Sequence, residues 1–422
     1  MANVREQVKL SRFTTLGLGG PARRFVVAGT DDEIIAAVRD ADQRGEPLLV
    51  LGGGSNLVIA DDGFPGTVIQ VATKGIHRTA GHDEAGPGKT GPGQAGRGQA
   101  GPDEAGPRQA EPGAPVMVTV AAGEEWDTVV ASCVTADLAG LECLSGIPGL
   151  TGATPIQNVG AYGQEVADTI TRVRVYDRAT SGVVELAAAD CGFGYRTSAF
   201  KRSIAAPAVT GRFVVLGVTV QLTADRLSRP VRYAELAGVL GLEAARPDPG
   251  RPDQGRPDPG RADKGSRAPL GDVRAAVLRL RRGKGMVLDP GDPDSRSAGS
   301  FFTNPVLDAG QFAMLRRVVD ERSGPGVPIP QFPAGPGQVK VPAAWLIGQA
   351  GFHKGYPGAG RPGGSSPGPP AHISTKHTLA LVNAGGASTA GVVGLAREIR
   401  DRVRDLFGVE LASEPVLVGV SL

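Results

Sequence analysis

Apolar and polar positions recur along this chain with two different periods, and the switches between them mark its elements. In DDEIIAAVRDADQRG, residues 31–45, apolar residues return at helical spacing behind an acidic start, which predicts a helix capped by Asp32 or a neighbour. The run PLLVLG that follows reads as a strand. TVIQVA, VMVTVAAG, ITRVRVYD and RFVVLGVTVQL read the same way, being rich in β-branched residues and bounded by turns. Helical spacing comes back in DVRAAVLRLRRGKG and STAGVVGLAREIRDRVRDLFG. The sum is an α+β chain with a strand-rich middle.

Three stretches break the pattern, and much of the chain's 63 glycines and 34 prolines lies in them. Residues 86–115 repeat Gly, Pro, Gln and Ala with no apolar face, residues 246–265 repeat Arg-Pro-Asp-x-Gly, and residues 355–370 read GYPGAGRPGGSSPGPP. Such sequences bury too little to order themselves, so they are expected to be solvated insertions at loop tips.

With 422 residues the chain can hold two or three domains and a large core. Its 45 basic and 43 acidic residues leave a formal charge of +2, which gives no argument for a nucleic-acid or membrane partner. Any bound anion must be held locally. MANVREQVKL lacks the apolar core of a signal peptide, and nowhere do about 18 apolar residues run uninterrupted, so a soluble, cytoplasmic protein is expected. Cys133, Cys143 and Cys191 form no C-x-x-C pair and are expected to be small buried hydrophobes. His372 and His377, the nearest histidines, suit neither one helix face nor one strand face, and no metal site is expected.

VLGGGSNLVI, residues 50–59, is a strand, a Gly-Gly-Gly-Ser-Asn turn and a second apolar run. Successive glycines let the main chain approach a ligand and turn N–H groups toward a phosphate. Taken alone, a tight turn is as good a reading. LSGIPGLTGATPIQNVGAYGQE, residues 144–165, adds weight to the cradle: it is long, dense in backbone donors and almost uncharged, which suits a dinucleotide held by main-chain groups. Ile147, Leu150, Ile156 and Val159 make it too apolar for a freely solvated connection.

LGGGSN, SGIPGLTGATPIQNVGAYG, CGFGYRTSAFK, AGSFFTNP and LASEPVLVG stand in the order and approximate spacing of the UDP-N-acetylenolpyruvoylglucosamine reductases. Outside the three tracts, nearly the whole chain resembles that family. The resemblance implies an α+β architecture: a two-subdomain flavin fold of the vanillyl-alcohol-oxidase (PCMH) type, at residues 1–80 and 116–222, and an α+β substrate-binding domain at 270–422. The tracts at 86–115, 246–265 and 355–370 are then insertions. It also implies FAD held by Gly52, Gly53, Gly54, Ser55 and Asn56. From the second loop it adds Gly146, Ile147, Pro148, Gly149, Gly152, Ala153, Gln157, Asn158, Gly160, Ala161, Tyr162 and Gly163. Neither loop carries a histidine or cysteine, so a non-covalent flavin is expected.

The reaction implied is a hydride relay from NADPH through the flavin to the methylene carbon of UDP-N-acetylglucosamine enolpyruvate, forming UDP-N-acetylmuramate for the bacterial cell wall. A monomer with small-molecule partners only is expected. Hydride addition loads charge onto the adjacent carboxylate, and one proton must then reach one face. Arg196 suits the first task, because a guanidinium stays charged and grips a carboxylate with two parallel hydrogen bonds. Glu414 suits a partly buried acid that donates a hydrogen bond or orients Arg196, although Ser413 stands where the family commonly has proline. Ser300 is the implied proton donor, on a strand that Phe301 and Phe302 are expected to anchor, one on each face. Tyr195, Tyr233, Lys284, Asn304 and Gln349 match substrate-pocket positions, and Thr303, where many members carry lysine, is given no role.

Two other readings stay open on the residues alone. One keeps the flavin fold in an oxidase of an alcohol or sugar, whose reduced flavin dioxygen would reoxidise. The other is a flavin- or nucleotide-sugar-binding module without catalysis, against which the intact Arg196, Ser300 and Glu414 set speaks.

Overall fold

The computed structural model describes residues 4–81, 111–205, 207–243, 266–358 and 369–422. The first unit runs through β1 (Val4–Lys9), β2 (Pro21–Ala28), α1 (Asp31–Gln43), β3 (Leu48–Leu51), β4 (Leu57–Ile59) and β5 (Phe64–Val71). Thr30, not Asp32, caps α1: its extended backbone lets the hydroxyl accept the Glu33 N–H at 3.2 Å, a cap worth about 1 kcal/mol. The three acidic residues behind it fill the first turn, where the helix dipole favours them. Strands β2, β5 and β3 pair in parallel and β1 closes the edge antiparallel. Both faces are covered, so neighbours such as Phe25 and Val26 are buried in different clusters, Val26 together with Ile34 and Val38 of α1.

The second unit contains β6 (Ile76–Ala80), β7 (Pro115–Ala121), α2 (Trp126–Thr135), β8 (Leu138–Ala139), β9 (Gly160–Ala161), β10 (Gln164–Glu165), β11 (Ile170–Asp177), β12 (Gly182–Ala187), α3 (Ala199–Arg202) and β13 (Phe213–Ala224). Its main sheet has the antiparallel order β12-β11-β13-β7-β6, with β8 beside β13. Strand β6 precedes residue 80, yet it pairs with β7 and so belongs to this sheet rather than to the first unit. The tract expected from 86 to 115 also ends earlier than its composition suggests. Residues 82–110 lie outside the described part, whereas residues 111–114 form a turn and Pro115 opens β7, placed by its alternating valines. Cys133, Cys143 and Cys191 are buried thiols.

Helices α4 (Ala234–Val239) and α5 (Leu270–Gly283) flank the stretch from 244 to 265, which lies outside the described residues, and bury Leu236, Val273 and Val277 together with Cys143. The last unit runs through β14 (Ser297–Ser300), β15 (Val306–Asp308), α6 (Ala309–Ser323), β16 (Phe332–Gly335), β17 (Gln338–Lys340), α7 (Ala343–Gln349), β18 (Ala371–Ile373), β19 (Ala380–Asn383), α8 (Thr389–Phe407) and β20 (Val416–Val418). Phe301 and Phe302 do not part to opposite faces. Strand β14 ends at Ser300, the alternation ends with it, and both rings sink into one core at 1% exposure with centroids 5.3 Å apart. The glycine- and proline-rich run from 355 is likewise anchored at its start, since Tyr356 packs edge-on against Phe352; residues 359–368 lie outside the described part. Strand β20 returns to the first unit and pairs in parallel with β4, directly after the triple-glycine turn. That closure brings the chain's end to its first glycine loop.

Candidate active site

Between the units lies a cavity of about 700 Å³, within the range of small-molecule sites. Two of its walls are the glycine loops. Ser55 Oγ donates to the Pro148 carbonyl at 2.9 Å and ties one loop to the other. The glycines are needed for that approach: a Cβ on Gly53 would stand 2.7 Å from Gly149 Cα, and one on Gly54, which has φ +61°, would stand 1.8 Å from the Phe13 carbonyl. Asn56 Nδ2 reaches Gln157 Oε1 at 2.8 Å and the Glu414 carbonyl at 3.3 Å, linking both loops to the C-terminal segment.

Of the loop residues singled out from the sequence, Gly52, Gly53, Gly54, Ser55, Asn56, Ile147, Pro148, Gly149, Ala153, Gln157, Gly160, Ala161 and Tyr162 line this cavity. Gly152 lines an adjoining apolar cavity of about 90 Å³, which Gly52 also touches. Gly146, Asn158 and Gly163 line neither. Asn158 is a framework residue at 1% exposure: its side chain donates to Glu165 at 2.6 Å and accepts from the Ala167 N–H. Gly146 donates its N–H to Asp127 at 2.6 Å, and Gly163 turns the loop at φ +81°.

Arg196, Ser300 and Glu414, more than a hundred residues apart in sequence, meet in the cavity wall. Glu414 Oε1 lies 2.9 Å from Arg196 Nε, an ion pair whose N–H is not aimed at the oxygen, so Nε makes no hydrogen bond. The terminal nitrogens make only long bonds, 3.4 Å to the Asn158 carbonyl and 3.2 Å to that of Gly160. The planar fork is therefore not committed to Glu414. Arg196 itself sits at φ +51°, a left-handed conformation uncommon outside glycine and asparagine. Ser300 comes beside Glu414 because the Glu414 N–H donates to the Phe301 carbonyl at 2.9 Å and Phe302 bridges to Ser413.

Burial pushes the Glu414 carboxyl above the usual range, against the opposing pull of Arg196 and Lys201. Lys201, Arg281 and His377 also line the cavity, and none was given a role there from the sequence. Arg281 is 9% exposed; one nitrogen donates to the Met286 carbonyl at 2.9 Å, and Nε has no partner. Burial draws that guanidinium down to about 10. His377 is held down to about 4, first by burial and then by Lys284 and Lys354, so it is neutral at physiological pH.

The substrate positions divide. Tyr233 and Lys284 line the cavity beside Tyr162, with the two tyrosine rings edge to face at 5.4 Å and the Lys284 ammonium 5.7 Å from the Tyr162 centroid. Lys284 also pairs with Glu235 at 2.7 Å. Tyr195, Asn304 and Gln349 stand outside the cavity lining. Asn304 Oδ1 accepts the Ala343 N–H at 2.9 Å and so caps α7, while its own N–H points to the Tyr195 hydroxyl at 3.4 Å. Gln349 ends α7 and is exposed, because the helix turns its apolar face inward and leaves position 349 outside. Tyr195 lies under the Lys340 ammonium at 4.3 Å.

The FAD binding domain family matches residues 22–92 and 114–187, and the C-terminal domain family of UDP-N-acetylenolpyruvoylglucosamine reductase matches residues 292–418. Curated reductases of that name from Thermobifida fusca and Streptomyces coelicolor are 50% and 49% identical to this chain, over 98% of it in both cases and over 98% and 90% of their own lengths. The crystal structure of the UDP-N-acetylenolpyruvylglucosamine reductase from Thermus caldophilus matches with a TM-score of 0.55 at 23% identity, over 99% of this chain and 100% of that one, which shows the same fold. Among the described residues, no helix is long and apolar enough to cross a membrane.

Proposed function

Because this chain belongs to the UDP-N-acetylenolpyruvoylglucosamine reductases, oxidoreductases of peptidoglycan-precursor synthesis with an FAD binding domain, we propose that it uses non-covalent FAD and NADPH to reduce UDP-N-acetylglucosamine enolpyruvate to UDP-N-acetylmuramate. The observation that carries this reading is the convergence of Arg196, Ser300 and Glu414 on a cavity walled by both glycine loops.

The residues present fit FAD. Glycines at 53, 54 and 149 let the two loops and the segment at Phe13 pack main chain against main chain beside the cavity, where a Cβ would collide, and a glycine-rich main-chain wall of this kind suits a pyrophosphate. Among the described residues the Nε of Arg281 has no hydrogen-bond partner, and this buried cation, which Asp127 offsets only through space, suits a nearby ligand anion. When bound, FAD supplies the hydride that adds to the enolpyruvyl methylene carbon.

Arg196 takes the substrate carboxylate through its terminal nitrogens, which otherwise make long bonds to the Asn158 and Gly160 carbonyls, and stabilises the charge that gathers there. Glu414 fixes the guanidinium from the other side. Ser300 delivers a proton to the carbon next to that carboxylate, so hydride and proton together saturate the double bond. Lys284 and Tyr233 are assigned to the nucleotide end, and we keep the domain division drawn from the sequence as part of this proposal, with β6 counted in the second subdomain because it pairs with β7.

An anaerobic two-stage titration tests the reading. NADPH is expected to bleach the flavin absorbance of the purified protein, and the enolpyruvyl compound to restore it. Rapid restoration by dioxygen with no response to the enolpyruvyl compound would point to an oxidase instead.

A further inference from the structure

Lys201 stands in the same cavity wall, with no task in the chemistry assigned to Arg196, Ser300 and Glu414. Its place is set by its neighbours. Ser198 caps the short α3 by accepting the Lys201 N–H at 3.2 Å and donates its hydroxyl to the Ile156 carbonyl at 2.5 Å, while Phe200 is buried at 3% exposure. The half-buried Lys201 side chain then sends Nζ to the main-chain carbonyl of Arg196, 3.3 Å away, its one hydrogen bond among the described residues.

That carbonyl belongs to a residue in a left-handed conformation, which is costly for a residue with a Cβ and persists only where the surroundings hold it. Gly194 and Thr197 close the turn around Tyr195 and Arg196 with reciprocal main-chain hydrogen bonds of 3.1 and 3.2 Å, and Lys201 ties the turn to α3. A charge argument points the same way. With substrate bound, two carboxylates, that of Glu414 and that of the enolpyruvyl group, would face Arg196. One guanidinium cannot neutralise both in a buried site, and an unpaired buried anion is costly. Arg196 and Lys201 together match them.

We propose that Lys201 is a positioning residue: it holds the left-handed main chain of Arg196 through the carbonyl and, as a second cation near Glu414, lets the Arg196 guanidinium turn to a substrate carboxylate without stranding Glu414. This rests on the function proposed for the same cavity. The groups whose charges act on Glu414 fit it, since Arg196 and Lys201 both favour its ionised form while burial opposes it. Tyr195 is the nearby phenol.

The test uses FAD-loaded wild type, Lys201→Met, Lys201→Gln and Lys201→Arg, each reduced anaerobically with NADPH. The rate of absorbance restoration is then followed against enolpyruvyl substrate concentration and pH. In Lys201→Met we expect half-saturation to rise at least tenfold and the acid limb of the limiting rate to move to higher pH, because Glu414 loses a cation that favours its ionised form. Lys201→Arg should stay within about threefold of wild type. Should Lys201→Met not retain flavin, Lys201→Gln keeps a donor for the Arg196 carbonyl without the charge, and the same pH displacement is expected there. Unchanged half-saturation and pH profile in the charge-free variants, or an arginine variant as impaired as they are, would overturn the role of Lys201. A wild type that the enolpyruvyl compound never reoxidises would instead overturn the functional reading itself.

Discussion

The N–H of Glu414 donates to the carbonyl of Phe301 at 2.9 Å, so residue 414 is registered against the residue that follows Ser300. Ser300 and Glu414, from opposite ends of the last unit, are thereby held near one another by main-chain bonding rather than by flexible side chains. Phe301 in turn donates its N–H to the Leu379 carbonyl at 2.7 Å, which fixes the end of β14 to the segment leading into β19. Replacing Ser300 by alanine removes one hydroxyl and disturbs none of these bonds. We expect NADPH to bleach the flavin of Ser300→Ala at nearly the wild-type rate, and restoration by the enolpyruvyl substrate to slow by about 10²–10⁴-fold, the usual span for a general acid. Stopped-flow absorbance separates the two. Equal loss in both half-reactions would remove Ser300 from proton delivery.

Glu414 also leaves a mark on stability. Its folded pKa lies above its unfolded one, chiefly through burial, so between the two values the folded state binds the proton more tightly. Unfolding free energy therefore falls as pH rises through that window, and above it the ionised carboxylate carries a standing cost. Glu414→Gln has no such titration. The difference in thermal midpoint, variant minus wild type without substrate, should widen as pH is raised from about 4 to 8. A gap that stays constant, or narrows, would show that burial does not raise this carboxyl.

Much of this site could be read from the sequence, for reasons that differ residue by residue. Glycine runs announce close main-chain approach because no other residue permits it, and the loop tie from Ser55 to Pro148 is what they make room for. Strand β11 was legible residue for residue, since ITRVRVYD is β-rich and bounded on both sides. Lys201 and Arg281 were not legible. Each sits in a basic helical stretch that looks like a solvated face, and only tertiary packing, of α3 beside Arg196 and of α5 against the loop at Gly146, buries them. The places of Asn304 and Gln349 were not legible either: they were read as pocket residues from their motif positions, and the fold uses one to cap a helix and leaves the other exposed, both outside the cavity lining.

The glycines of the first loop should not tolerate alanine equally. At Gly52 a Cβ would meet Ala153 and Leu150 at 3.8 Å, an ordinary contact. At Gly54 it would meet the Phe13 carbonyl carbon at 2.8 Å as well as its oxygen, on a backbone that L residues rarely adopt. Gly54→Ala is expected to destabilise the protein by more than about 2 kcal/mol and Gly52→Ala by less than about 1 kcal/mol. Denaturant midpoints would reveal the ranking, and near-equal values would mean that the first loop is not held by the contact with Phe13.

Arg281 tests whether the cavity is built around an anion. Burial lowers its folded pKa to about 10, well below the unfolded value of an arginine. Between those values the unfolded chain binds the proton more tightly, so stability rises with pH there, and at every pH below the window the flavin-free protein bears the net cost of a buried cation that Asp127 only partly offsets. Methionine fills similar space without the charge, and replacing a buried ion by an apolar residue is often neutral or stabilising. The lost hydrogen bond to the Met286 carbonyl works against this by about 1 kcal/mol. Arg281→Met should therefore leave the thermal midpoint of the flavin-free protein at pH 8 unchanged or raised. Its affinity for FAD should fall at least tenfold, because the anion that compensates the guanidinium in the wild type finds no partner. Calorimetric titration of FAD into flavin-free protein, with thermal melts before and after loading, reads both quantities. A variant that binds FAD as tightly as wild type, or melts markedly lower without it, would make Arg281 a framework residue rather than part of the cofactor site.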